Sequence, residues 1–366
     1  MNVEVLDLPK VSPPVAEEYA RLAYVLVESV NSRMSGRQDL ATLIGSNPVD
    51  VMYENHRNHA FFMACVFRLG DYGILAKTLP WVYRAYHNRG FSHAYFTTVL
   101  PVWIDVIREF MGHDSVDILD IYKWMLAIHE ETVRVSLQPA TEPDAGTLDW
   151  QLDYERFLDA LMVGDIYACD NIARSRVDSA ERMADFFVHV VQPAMYAVGA
   201  RWENGLVSVA QEHLASAMVS RIMTSVSSFG FSSAPHRGKA VISSAVNEFH
   251  EIGAWMIASC LESDGWDVRY LGANTPLKDL LAYVRVEKPD LLCISVAMIF
   301  NISAVKELID GVRDDESLAG TKIVVGGQAL LQHPDTFHLL KADAMAKDCK
   351  SAMELARTFS VRSGSR

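Results

Sequence analysis

From residue 240 onward the chain alternates short apolar runs with helical patterns, and that alternation leaves few folds open. The runs Ala240–Val246, Asp267–Leu271, Leu291–Ala297, Lys322–Val325 and Ala344–Ala346 read as strands. Ile252–Leu261, Leu277–Val286, Ile302–Arg313, Pro334–Leu339 and Ser351–Ser360 read as helices. Strands that are apolar throughout, with helices between them, indicate a parallel, doubly wound sheet buried on both faces. Such sheets bind ligands at the carboxyl ends of their strands. Three loops at that edge carry chemistry: Glu248-Phe249-His250, Ser295-Val296-Ala297 and Gly326-Gly327. No Gly-x-Gly-x-x-Gly follows the first strand and no Walker loop is present, so the ordinary nucleotide readings are weak.

The remainder is helical. Two breaks, Gln138–Leu148 and Ser225–Gly238, are rich in Pro, Gly and Ser and divide the chain into 1–138, 148–226 and 237–366. In the first segment Pro14–Ser32, Val49–Leu69, Leu75–Asn88, Ala94–Phe110 and Val116–Leu137 carry apolar residues at three- and four-residue spacing. Pro48 sits at a first-turn position, with Ser92, Asp114 and Ser115 as candidate caps. The second segment, from Trp150, holds four helical patterns: Leu152–Val163, Ile166–Arg176, a third opened by Asp178-Ser179 and running to Arg201, and Ser208–Met223. This is material for a four-helix bundle.

Composition narrows the function. The chain has 366 residues, half of them hydrophobic, and a net charge of −13. An acidic chain is poorly suited to phosphate-backbone binding, so no direct nucleic-acid contact is expected. No apolar segment reaches the ~20 residues that span a bilayer, and Met1–Pro14 lacks the pattern of a signal peptide. The five scattered cysteines (65, 169, 260, 293, 349) form no Cys-x-x-Cys pair. They suit a reduced cytoplasm and supply no zinc site.

The densest chemistry outside the sheet edge lies between Tyr53 and Trp103, where aromatics alternate with His56, His59, His87, His93 and Arg57, Arg68, Arg84, Arg89. Aromatics filling a bundle core, with solvated arginines, account for most of these. A flat dianionic chromophore would also want aromatic walls, imidazoles and arginines. Trp81, Tyr86, His87, Arg89 and His93 are the candidates for such a pocket. The helix order, with Tyr86–Phe91 between two long helices, is similar to a globin's, which leaves haem through His87 or His93 open. Cys65 could attach a bilin covalently, or be a small buried thiol.

At the sheet edge, a loop histidine with a carboxylate two residues earlier can ligate a transition metal while the carboxylate fixes the tautomer. Zinc needs three or four protein ligands. A single axial histidine suits a metal already held by a macrocycle, haem-like or corrin-like. On the fourth helix of the second segment, Glu212-His213 follows Trp202 after nine residues. A carboxylate beside an imidazole on a mostly apolar helix (Val209, Leu214, Met218, Ile222) is either an ordinary polar face or a site.

Glu248-x-His250-x-x-Gly253, Ser295-x-Ala297 and Gly326-Gly327 together resemble the Asp-x-His-x-x-Gly, Ser-x-Leu and Gly-Gly signature of cobalamin-binding domains. The resemblance covers roughly residues 150–360. It implies that His250 is the lower cobalt ligand, Glu248 its hydrogen-bonded carboxylate, and Ser295 the partner of that carboxylate. Glu stands for the usual Asp, and Ala297 for Leu. The Trp202, Glu212, His213 spacing is similar to that of cobalamin photoreceptors that repress carotenoid genes. This implies that Trp202 and Glu212 contact the adenosyl group of adenosylcobalamin, and that His213 takes cobalt after light breaks the Co–C bond. Residues 1–138 show no short basic helix-turn-helix domain of the repressor kind. An aromatic-rich helical segment ahead of such a module looks most like photocobilins, which add a bilin such as biliverdin. The resemblance thus implies a cytoplasmic light sensor rather than an enzyme. Its output would be a change in homo-oligomeric state or in contact with an effector protein. The alternative is a corrinoid carrier for methyl transfer.

Overall fold

The computed structural model describes residues 8–142, 148–227 and 237–360. Residues 143–147 of the first expected break, most of the second, and the first and last residues of the chain lie outside the described residues. Contacts divide the chain into two units. One comprises Met1–Thr141 with Glu203–Leu206, and the other Glu142–Trp202 with Val207–Arg366.

The first unit is helical: α1 (Pro13–Ser35), α2 (Leu40–Ile44), α3 (Val49–Leu69), α4 (Tyr72–His87), α5 (Ala94–Met111), α6 (Val116–Ala127) and α7 (His129–Ser136). The short α2 has no counterpart among the expected helices, and the single helix expected over 116–137 is broken at Ile128. Asp71 caps α4 by accepting from the Gly73 N–H. Ser115 makes no cap, because its hydroxyl donates back to the Gly112 carbonyl. Tyr19, Phe67, Tyr83, Tyr95, Trp103 and Tyr122 are fully buried, so this core is aromatic. Arg57 and Arg68 form surface pairs with Glu54 and Glu17, contacts worth about 0–1 kcal/mol each.

The second unit stacks a helical layer on a sheet. The helices are α8 (Leu148–Val163), α9 (Ile166–Arg176), α10 (Ala180–Phe186), α11 (Gln192–Glu203) and α12 (Val209–Ser227). The helix expected from Ser179 to Arg201 is interrupted by a π turn at Phe187–Val191. Pro193 has no N–H to return to the ladder, and the Gln192 N–H reaches the Phe187 carbonyl, five residues back. The strands are β1 (Lys239–Ser244), β2 (Asp267–Tyr270), β3 (Leu291–Ser295), β4 (Lys322–Gly326) and β5 (Ala344–Ala346), all parallel in the order 2-1-3-4-5. Helices α13 (Ile252–Ser263), α14 (Leu277–Glu287), α15 (Ile302–Arg313), α16 (Gln328–Gln332) and α17 (Cys349–Ser360) connect and follow them. Pro334–Leu339 is a 3₁₀ helix rather than an α-helix. The order reverses between β1 and β3, the switch point at which doubly wound sheets open a crevice. The loop after β1 carries His250, and β3 ends on Ser295.

Candidate functional site

The β1–α13 loop is built to aim one imidazole. Asn247 adopts φ 61°, a left-handed turn that asparagine tolerates, and reverses the chain so that Glu248 points inward and His250 outward. Glu248 is 1 % exposed, whereas the His250 side chain is 61 % exposed. Glu248 Oε1 lies 2.5 Å from His250 Nδ1 and also accepts the His250 backbone N–H at 3.2 Å. With Nδ1 committed as the donor, Nε2 is left with its lone pair outward, the form a metal requires. Oε2 accepts the Ala297 and Met298 backbone N–H groups at 3.0 and 2.8 Å and the Asn301 amide at 3.1 Å.

Electrostatics agree with this geometry. Burial pushes the Glu248 carboxyl up, but hydrogen bonds from His250 and Met298 outweigh it and hold the group below its usual range. The hydrogen bond to Glu248 raises the His250 imidazole, with Glu212 adding to it through its charge.

The expected link to Ser295 does not form. Its hydroxyl is not among the donors to Glu248, whose oxygens are taken by His250, Ala297, Met298 and Asn301. The physical reason is length. Glu is longer than Asp by one C–C bond, ~1.5 Å, and the carboxylate reaches past Ser295 into the turn beyond β3. Ser295 is instead packed against Gly253, where a Cβ would come within 3.1 Å of its hydroxyl. Asn301 carries no signal in the sequence, because it belongs to none of the motifs and meets Glu248 only through the fold. The glycine pair also has a reason internal to the chain. A Cβ on Gly326 would lie 2.7 Å from the Ala346 carbonyl oxygen, and one on Gly327, at φ 107°, only 2.2 Å from that of Val296.

On the cap, Trp202 is half-buried near the end of α11. The Glu212 side chain is 26 % exposed and that of His213 73 %, with His213 Nδ1 3.2 Å from Glu212 Oε2. Ser216 donates to Glu212 Oε1 at 2.7 Å. The first half of α12 leaves Val209 and Leu214 about half exposed, so the apolar face expected to be buried there is open around His213.

Among the described residues no cluster of His, Cys, Asp or Glu could hold a metal ion by itself. One outward imidazole oriented by a buried carboxylate fits a metal whose other ligands come from a macrocycle.

In the helical unit the five candidate pocket residues do not line one cavity together. His87 and His93 stack on each other with centroids 4.2 Å apart, and Arg89 donates to the Ala85 carbonyl. Trp81, His87, Arg89 and His93 lie outside the cavity found in this unit, and only Tyr86 lines it. That cavity, about 40 Å³, is walled by His56, His59, Tyr83, Tyr95 and Trp103 among others. His56 bridges Asn31 Oδ1 at 2.5 Å and the Tyr95 hydroxyl at 2.6 Å, and His59 meets the Tyr122 hydroxyl at 2.9 Å. Burial lowers these imidazoles to about 3 and about 4. Cys65 is buried in α3.

A parallel 2-1-3-4-5 sheet with an axial-type histidine at its switch point, under a helical layer, defines a corrinoid-binding module. Two family profiles, each described as a B12 binding domain, match residues 238–355 and 154–226. The two-part module belongs to that family, and the protein binds cobalamin. Similar curated proteins include the HTH-type transcriptional repressor CarH of Myxococcus xanthus, 32 % identical over 151 residues. That match covers 40 % of this chain and 48 % of the repressor, so the chain spans about half the length of CarH. The repressor CarA of the same organism is 28 % identical over 214 residues, 57 % of this chain and 68 % of CarA. Among solved structures, the monomethylamine corrinoid protein of Methanosarcina barkeri shares the fold, with TM-score 0.50, 18 % identity, and coverage of 57 % of this chain and 98 % of that one.

Proposed function

We propose that the protein is a light sensor that binds adenosylcobalamin between His250 and a cap formed by Trp202, Glu212 and His213. The observation that carries this reading is the His250 imidazole, exposed at the sheet edge and held by the buried Glu248 carboxylate, in a chain whose α12 sets Glu212 and His213 side by side. Similarity to CarH and CarA supports it. Adenosylcobalamin, when bound, supplies a Co–C bond that light cleaves. The chain supplies the rest. His250 would hold the cobalt through Nε2, with Glu248 fixing its ring. Trp202 and Glu212 would enclose the adenosyl group and shield it from water. His213, exposed on the first turns of α12, would be the cap side chain able to hold cobalt once the adenosyl group has left, carrying the change into the cap. Gly253, Ser295, Gly326 and Gly327 shape the crevice on the sheet side. The signal leaves through homo-oligomerisation or an effector protein in the cytoplasm, without catalysis and without direct nucleic-acid contact.

A second chromophore, a bilin such as biliverdin, belongs in this reading to the helical unit. The cavity beside Tyr86, His56 and His59 supports it, since its walls are aromatic and aliphatic and its polar groups include imidazoles, phenols and the Asn55 amide. In its present shape the cavity holds only a few waters, so binding requires the aromatic walls to part.

The experiment is to load the full chain with adenosylcobalamin in the dark, illuminate with green light, and record the spectrum and gel-filtration volume. A changed spectrum with a changed volume is expected, and an unchanged spectrum would sink the proposal. Adding biliverdin to the same protein should produce a red absorbance band. The corrinoid-carrier reading draws on the fold shared with the monomethylamine corrinoid protein. It predicts instead a module that accepts methyl groups and is indifferent to adenosyl ones.

A further inference from the structure

The β1–α13 loop is locked by asparagines from three successive strand-to-helix loops. Asn247 and Asn274 both adopt left-handed backbone, φ 61° and 52°. The Asn247 N–H donates to Asn274 Oδ1 at 3.1 Å, and the Asn274 N–H donates to the Glu248 carbonyl at 3.0 Å. Asn301, 3 % exposed at the start of α15, closes the arrangement from the other side. Its amide nitrogen donates both to the Asn247 carbonyl at 3.3 Å and to Glu248 Oε2 at 3.1 Å. One buried side chain thus grips the backbone of the loop and the carboxylate that orients the histidine.

We propose that Asn301 is the positioning residue for His250, in the place where Ser295 was expected, and that the loop is set for cobalt before any cofactor arrives. This rests on His250 being the lower ligand. An amide suits the task because it is neutral and presents two N–H donors to two acceptors on neighbouring residues. A hydroxyl has one proton and can serve one of them. Removing a partner of a buried carboxylate leaves the oxygen desolvated and unpaired, so the carboxylate shifts and the imidazole with it.

The test compares Asn301→Ala and Asn301→Leu with Ser295→Ala, the Leu variant refilling the space should the Ala variant fail to fold. In the cofactor-free protein, the hydrogen-bonded Nδ1–H of His250 should give a slowly exchanging, downfield proton resonance. It should survive Ser295→Ala and be lost or exchange-broadened in both Asn301 variants. Asn301 variants should also bind cobalamin on the order of tenfold more weakly, as expected when a group that orients a metal ligand is removed, with a larger share showing the spectrum of a protein without a histidine ligand. A resonance that persists in both Asn301 variants, or that Ser295→Ala alone erases, overturns the proposal. The cofactor-free measurement stands whether or not light changes the protein, so failure of the sensor reading and failure of this one are distinguishable.

Discussion

Arg84 on α4 forms an ion pair with Glu203, the residue that follows Trp202, and the two side chains are only 14 % and 13 % exposed. Arg84 also donates to the Ser136 carbonyl, and the Asn88 amide to that of Glu203. Asn204 exchanges two hydrogen bonds with the Ala140 backbone. Burial raises the Glu203 carboxyl, with Arg84 opposing the shift. Arg84→Ala should therefore cost more than Glu203→Gln, because it strands a desolvated carboxylate. About 1–3 kcal/mol is expected in thermal or urea melts, less than for a fully buried pair. A double-mutant cycle isolates the pair itself.

Replacing His250 by Ala should weaken cobalamin binding by at least an order of magnitude and abolish the histidine-ligated spectrum in the dark. Replacing His213 by Ala should leave dark binding within a few-fold and change only the illuminated product. If dark binding is lost in the second variant, His213 has been placed on the wrong side of the cofactor.

Shortening the carboxylate side chain with Glu248→Asp should retract it from the Ala297 and Met298 N–H groups by ~1.5 Å, bringing Ser295 into reach in their place. The expected result is a His250 that still ligates cobalt but depends on Ser295. Ser295→Ala should be more damaging when combined with Glu248→Asp than alone, read as cobalamin affinity by titration.

The helical unit should be acid-sensitive. His56 and His59 titrate at about 3 and about 4 in the folded chain, against ~6.5 unfolded. Between those limits the unfolded state holds the extra protons, so stability is full above pH ~6.5 and falls as the pH drops. Each histidine removes about 1.4 kcal/mol per pH unit there, roughly 4 kcal/mol for the pair at pH 5. Melts of His56→Asn and His59→Asn variants between pH 5 and 7 should show a shallower slope.

Gly327→Ala should destabilise the sheet unit by about 3 kcal/mol or more, since the new methyl meets the Val296 carbonyl in a left-handed backbone. The effect should appear in the cofactor-free protein, which separates it from a binding defect.

The sheet was legible because apolar strands announce burial on both faces, and every expected strand overlaps an observed one. His250 and Glu248 were legible for a related reason: two residues apart in one loop, they needed no long-range contact to pair. The second half of the relay was not. Asn301 lies 53 positions from Glu248, and only the pairing of β1 with β3 brings their loops together. In the helical unit the density of aromatics and histidines pointed to the right stretch, but helix rotation chose His56 and His59 for the cavity wall and turned His87 outward.

The turn Glu203–Leu206 belongs to the N-terminal unit although it is encoded long after that unit's main stretch ends at Thr141. The helical unit is therefore discontinuous in the gene, and a single cut cannot release it whole. A fragment ending at residue 141 would carry an Arg84 without its carboxylate and an Ala140 without Asn204. Exchange of this unit between proteins, by recombination or in the laboratory, requires the short graft between Trp202 and Val207 to travel with it.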